Sequence, residues 1–277
     1  MAKPNHIELP TGERIPILYE DRSVLAIDKP AGWMLVPFSW QKTNRNLQAA
    51  LTSSIAAKDF WARSRNLKYL RFVHRLDADT SGVLLLAKSP GAVNTFGSLF
   101  ESRKMEKVYL AVVRGAPKQS EWICRLKLAP DPRAVGKMRV DARDGKEAET
   151  HFRLLQSKEK TSLVEARPVT GRTHQIRVHL AETGHPVVGD PLYGLRPLKE
   201  ERTPRGEGGP LTPALSPSEG ERGNRRQLSG EPRLRGGGLG LRAVGLSYVD
   251  PFTRRQVDIR ASLAGFVREY GYGIPKL

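Results

Sequence analysis

In the stretch His74-Arg75-Leu76-Asp77-Ala78-Asp79-Thr80-Ser81-Gly82-Val83-Leu84-Leu85-Leu86-Ala87-Lys88, a dense polar cluster runs straight into consecutive apolar residues. A run this short and continuous predicts a strand buried on both faces, because a half-exposed strand would alternate apolar and polar positions. The polar residues then occupy a loop at the strand's start, where a rigid sheet commonly presents reactive side chains. Pro90-Gly91 ends the strand, Val93, Phe96, Leu99 and Phe100 recur at helical spacing over 92–103, and Val108 to Val113 returns to strand.

Working outward, the apolar segments 15–19 and 24–28 flank Glu20-Asp21-Arg22-Ser23 and predict two strands joined by a turn, broken by Lys29-Pro30-Ala31-Gly32. Residues 47–67 are loosely helical in spacing. Segments 149–155 and 162–168 around the polar turn 156–161 predict a hairpin. Thr173 is placed to cap a helix from His174 to about Thr183, which Gly184 ends and Pro186 cannot continue. Hairpins and helices mix without regular βαβ alternation, which predicts an α+β fold. Residues 195–240 differ: 10 of these 46 are Gly, 6 are Pro and none is aromatic. Such a segment cannot bury a core and is expected to be a disordered insertion or long surface loop.

The chain has 277 residues, and 46 Lys and Arg against 29 Asp and Glu leave a charge of +17. The 195–240 segment holds only +3 of it, so the basic character belongs to the folded body. That excess suits a polyanion, with nucleic acid the commonest inside cells; a merely solubilising basic surface is the alternative. No apolar run is long enough to span a membrane and no secretory signal opens the chain. The single cysteine, Cys124, fits a reducing compartment and excludes a cysteine-rich zinc site. The expected setting is cytoplasmic.

A second polar cluster, Thr170-Gly171-Arg172-Thr173-His174-Gln175-Ile176-Arg177-Val178-His179, gathers cationic and titratable groups at a helix start, which attracts anions. Three histidines in the two clusters invite a metal test. His174 and His179 are five apart rather than four and no Glu lies between them, so His74, His174 and His179 are not expected to bind metal.

His74 to Lys88 resembles the signature of RluA-type RNA pseudouridine synthases. Ordered matches follow at Ala26 to Gly32 (AIDKPAG), Lys107 to Gly115 (KVYLAVVRG), Gly171 to Asp190 (GRTHQIRVHLAETGHPVVGD) and Pro191 to Gly194 (PLYG). The resemblance covers about residues 15–194 and resumes weakly near 243–248. It implies an α+β catalytic fold with a mixed, mostly antiparallel central sheet flanked by helices and a catalytic cleft. The domain would span 15–277, interrupted by 195–240 and preceded by a 1–14 extension, with no separate N-terminal RNA-binding domain. The implied activity is isomerisation of uridine to pseudouridine in ribosomal or transfer RNA by a cofactor-independent monomer.

By the resemblance, Asp77 is the carboxylate that acts as nucleophile or as electrostatic and acid/base partner. An ionised carboxylate at a partly buried site needs a countercharge. Arg177 fills that role by resemblance, with Arg172 the alternative. Tyr109 would lie against the target base and is a candidate for taking the proton from carbon 5. Arg75 would displace or replace the flipped base. His74, Thr80, Arg172 and His174 complete the expected RNA contacts, His74 also shaping the loop by hydrogen bonding. Lys88, Arg103, Lys104 and Lys107 are expected either to follow the RNA backbone or to be solvated. A noncatalytic RNA-binding protein and a hydrolase using Asp77 are the competing readings. Binding alone does not require Asp77, Tyr109 and Arg177 together, and a hydrolase would release base or cut the chain.

Overall fold

The computed structural model describes residues 3–9, 11–35, 44–194 and 238–277. In chain order its strands are β1 (His6–Glu8), β2 (Arg14–Glu20), β3 (Val24–Lys29), β4 (Arg71–Phe72), β5 (Ser81–Ala87), β6 (Glu106–Arg114), β7 (Glu121–Cys124), β8 (Leu128–Pro130), β9 (Met138–Val140), β10 (Thr150–Ser157), β11 (Thr161–Pro168), β12 (Leu241–Val249) and β13 (Gln256–Arg260). The helices are α1 (Leu47–Ala56), α2 (Phe60–Arg63), α3 (Pro90–Glu101), α4 (Gln175–Glu182) and α5 (Ala264–Glu269). One sheet runs β1-β2-β3-β5-β12-β6-β11-β10-β7, with β4 beside β5 and β13 beside β12; β8 and β9 form a separate ribbon. All pairs in this sheet are antiparallel except β5 with β12, so the fold is α+β with a mixed, mostly antiparallel sheet.

The apolar run behaves as its composition demands. Leu84 and Leu86 of β5 pack on one side with Trp33, Leu47 and Trp61, while Val83, Leu85 and Ala87 pack on the other with Phe96 and Ile259. Each buried Val, Leu, Ile or Phe among them contributes about 1.5–3 kcal/mol through removal from water. On β6, Ala111 and Val113 join one core cluster and Val108, Leu110 and Val112 another, so that strand too is covered on both faces. Ser89 caps α3 by accepting the Ala92 N–H at 3.2 Å, with Pro90 in the first turn, where a missing N–H costs nothing.

Gly82 sits where β5 turns parallel to β12. Its φ is +111°, and a Cβ there would lie 1.9 Å from the Ala243 carbonyl oxygen. Only glycine meets both demands. Gly82→Ala is therefore expected to cost about 2–4 kcal/mol by strain and forced separation of the strands. Denaturant unfolding checks this, and a midpoint matching the parent's would refute it.

Four expectations shift. The sheet begins before residue 15: Ile7 is fully buried and β1 pairs with β2, so residues 6–8 are an edge strand where an extension was expected. The loosely helical stretch 47–67 divides into α1 and α2. The cap of α4 is His174, in a left-handed conformation with φ 54°, and not Thr173. No side chain caps this helix end; Gln175 instead folds back onto the preceding turn, accepting the Arg172 N–H at 2.9 Å. Residues 195–237 of the expected insertion lie outside the described residues, whereas Gly240 exchanges backbone bonds with Val112 and Val188 at 2.8 Å and belongs to the sheet. Gly184, with φ 87°, follows the end of α4 as expected.

Candidate active site

Loop 73–80, the end of α3, the start of β6 and the turn 170–177 enclose a cavity of about 540 Å³. Asp77 and Arg177, a hundred residues apart in sequence, meet on its wall: Arg177 Nη1 donates to Asp77 Oδ2 at 3.0 Å. The Asp77 side chain is 24% exposed, and that of Arg177 only 4%. Two further donors of the same guanidinium, Nε and Nη2, reach the carboxylate of Asp190, each at 2.8 Å. Asp190 is fully enclosed, and its Oδ1 also accepts the Leu192 and Tyr193 N–H groups. Burial pulls against the charge of both partners. Hydrogen bonds and Coulomb attraction between them outweigh it, holding Asp190 below the usual carboxylate range and Arg177 above its ordinary value. A buried guanidinium with two carboxylates stays charged and cannot rotate freely, so it presents one donor to Asp77 in a fixed direction. Arg172 does not compete: its Nε donates to the Glu147 carbonyl at 2.9 Å.

Tyr109 projects from β6 into the same cavity. Desolvation, with the charge of Asp77 adding to it, drives its phenol far up, so it is a neutral ring with a hydroxyl. Arg75 is exposed on the rim, and Thr80, buried, lines the wall. His74 also borders the cavity, but its Nε2 accepts the Leu85 N–H at 3.0 Å and its ring stacks on Phe100 with centroids 4.6 Å apart. Burial pushes it down to about 3, so His74 is a neutral brace for the loop. His174 packs beside Asp77, its Nε2 3.9 Å from Oδ2, and the same burial lowers its pKa.

The profile of a family described as RNA pseudouridylate synthase matches residues 23–182, which include Asp77, Tyr109 and Arg177. The chain belongs to the RNA pseudouridylate synthase family. Ribosomal large subunit pseudouridine synthase C of Vibrio parahaemolyticus is 37% identical over 182 residues, 65% of this chain and 53% of that one. The dual-specificity RNA pseudouridine synthase RluA of Vibrio cholerae is 34% identical over 65% of this chain and 68% of its own. The chain thus spans about half the length of the first of these relatives. In fold, human RNA Pseudouridylate Synthase Domain Containing 4 superposes with a TM-score of 0.65 at 22% identity over 94% of both chains.

Within this synthase fold, several site residues escaped assignment from sequence. Asp190 and Tyr193 stood in matched segments, but nothing in their spacing showed that they meet Arg177. Lys29 is fully buried beneath the loop, its Nζ donating to the carbonyls of Pro30 at 3.0 Å, Ala78 at 2.7 Å and Thr80 at 2.9 Å. Three carbonyls satisfy the ammonium and pin the loop that carries Asp77. Lys107 spans to the Thr170 carbonyl at 3.0 Å, clamping β6 to the opposite wall. Lys88, expected either along the RNA backbone or in solvent, is instead tied to Glu20 at 2.7 Å and to the Asp21 carbonyl, while Arg103 faces the cavity. Among the described residues no cluster of three or more His, Cys, Asp or Glu could hold a metal ion, and no helix is long and apolar enough to cross a membrane.

Burial pushes Lys29 and Lys107 down to about 8. Their folded pKa values lie below the unfolded value of roughly 10.4, so between those limits the unfolded chain binds more protons and both lysines make stability rise with pH. Lys29→Met is expected to flatten the change in unfolding free energy between pH 8 and 10, read by denaturant titration at each pH. An unaltered slope would show that Lys29 does not titrate there.

Proposed function

We propose that this chain isomerises uridine in RNA to pseudouridine, with Asp77 as the reacting carboxylate. The reading rests on one observation above all: a carboxylate on the wall of a cavity large enough to admit a flipped nucleotide, hydrogen-bonded by an arginine that a second, enclosed carboxylate anchors. Such an anchored charge is ready to stabilise electron deficiency at the ribose or to act as a nucleophile without reorganising first.

The reaction breaks the bond between C1′ and N1 of uridine, turns the base, joins C1′ to C5, gives the C5 proton to solvent or a side chain and takes one proton back from solvent or that side chain onto N1. The proton lost and the proton gained cancel, and no electrons are exchanged with any other molecule. With Oδ2 of Asp77 engaged by Arg177, Oδ1 is the oxygen offered to the ribose or base. Tyr109 serves as a stacking surface for the detached uracil and as a hydroxyl partner for its polar edge. Burial and Asp77 both oppose its phenolate form, which weighs against Tyr109 as the ground-state base for C5. A uridine in structured RNA must be flipped out to reach this depth, at a cost of about a few kcal/mol. Arg75, Arg103 and Arg172 at the cavity are suited to phosphate or to the vacated stack. We place the reaction in the cytoplasm, on ribosomal or transfer RNA, by a single copy of the chain.

Pseudouridine mapping on total RNA from cells with and without the gene tests this reading. Loss of one or a few modified uridines, restored by the parent protein, would support it and name the target. An unchanged map would favour the binding-only reading, and released uracil would favour a hydrolase.

A further inference from the structure

Tyr193, in the Pro191–Gly194 segment just beyond the profile match, reaches three members of the site: Arg177, Asp190 and His174. Its ring faces the Arg177 guanidinium at 5.2 Å, and its N–H donates to Asp190 at 3.1 Å. Its hydroxyl stands between two partners, the Met138 N–H of the β8–β9 ribbon at 2.9 Å and Nδ1 of His174 at 2.8 Å. A backbone N–H can only donate, so the hydroxyl oxygen accepts from Met138. The remaining question is where the proton between Tyr193 and His174 sits.

A proton on Nδ1 would leave the buried hydroxyl proton without an acceptor, since Nδ1 and the Met138 N–H would then both donate to the oxygen, at a cost of the order of 1–3 kcal/mol. With the proton on the hydroxyl, both groups are satisfied and the imidazole carries its hydrogen on Nε2. That nitrogen is the one 3.9 Å from Oδ2 of Asp77. The backbone serves this aim as well. His174 holds a left-handed φ of 54°, a strained choice for a residue with a Cβ, and this conformation begins α4 with the ring between Tyr193 and Asp77.

We propose that Tyr193 is a positioning residue whose hydroxyl, pinned by the β8–β9 ribbon, fixes His174 as the neutral tautomer with its Nε2–H facing Asp77. This rests on Asp77 being the reacting carboxylate, as proposed above. A neutral ring turns an N–H dipole toward Oδ2 across 3.9 Å without adding a second full positive charge beside Arg177. The charged and titratable groups around the imidazole are Asp77 and Arg75 from the loop, Arg177 from α4, Asp190, and Tyr193 itself. Without the Tyr193 hydroxyl, Nδ1 loses the donor that favours the neutral ring, and His174 protonates at higher pH.

Long-range proton–nitrogen correlation on the isotope-labelled full chain reads the tautomer directly. The expected spectrum of the parent at pH 7 shows a bare Nδ1 and a protonated Nε2 for His174. In Tyr193→Phe, which keeps the ring under Arg177, the nitrogen shifts move toward a tautomer mixture or the charged ring. In single-turnover assays Tyr193→Phe loses about 10–100-fold in rate, with RNA affinity within about twofold. Its rate also falls more steeply than the parent's between pH 7.5 and 5.5. His174→Gln, whose amide can present an N–H near the Nε2 position, keeps more activity than His174→Leu. A protonated Nδ1 in the parent overturns the proposal even if Tyr193→Phe fails to fold, and unchanged shifts in a folded variant overturn it too. The tautomer is read without RNA, so an inactive parent with the expected spectrum would count against the isomerase reading and not against this arrangement.

Discussion

Asp77→Asn is expected to fold and bind RNA like the parent while forming pseudouridine at least about 10³-fold more slowly. The substitution preserves size and leaves an amide oxygen to accept from Arg177, but removes the charge and the nucleophilic oxygen. Stability is spared because Arg177 keeps its two-point contact with Asp190, so no uncompensated buried cation remains. Affinity is expected within about threefold, since phosphate contacts elsewhere supply most of the binding. Single-turnover release of tritium from carbon 5 of uridine in the mapped target RNA measures the loss. A variant retaining a tenth of the parent rate would mean that Asp77 does not react, and would end the proposed mechanism.

Asp190→Ala is expected to cost about 3–5 kcal/mol of folding stability and nearly all activity. Its carboxylate accepts two guanidinium donors and two backbone N–H groups in an enclosed site, so truncation leaves a buried cation half-paired and backbone donors unmet. Arg177 would then be free to turn its remaining donors on Asp77 or to swing away, and either outcome alters the surroundings of the carboxylate proposed to react. The sign of the pH effect follows from the depressed folded pKa of Asp190. Its stabilisation is fully present above the unfolded carboxylate value of roughly 3.9 and is lost as pH falls through the folded value. The parent therefore loses more stability than Asp190→Ala on acidification below that point. Denaturant unfolding of both proteins from pH 7 downward decides this. A cost below 1 kcal/mol at pH 7 would show that water or backbone relaxation replaces the carboxylate.

Much of the framework was legible in one dimension. Five consecutive apolar residues at 83–87 required a doubly covered strand, and the hairpin 150–168 and the glycine after α4 followed from local pattern. Those features depend on neighbours a few residues away, where period and backbone preference act directly. The edge strand at 6–8 was missed because three residues carry too little pattern to outweigh their polar surroundings. The cap of α4 was misplaced by one residue because His174 takes a left-handed backbone, which residue spacing does not reveal.

The candidate site divides the same way. Asp77, Tyr109 and Arg177 were named from ordered segments, and the structure brings all three to one cavity. Sequence alone could not choose between Arg172 and Arg177 as the partner of Asp77, nor show that Lys88 is spent on Glu20. It also could not show that Lys29 grips the loop from below or that Asp190 and Tyr193 are hydrogen-bonded to Arg177 and His174. Segment chemistry resides in the order of residues along the chain. Pairings across a hundred residues, the burial that decides which groups keep their charge, and the direction of each hydrogen bond exist only once the sheet has brought distant loops together.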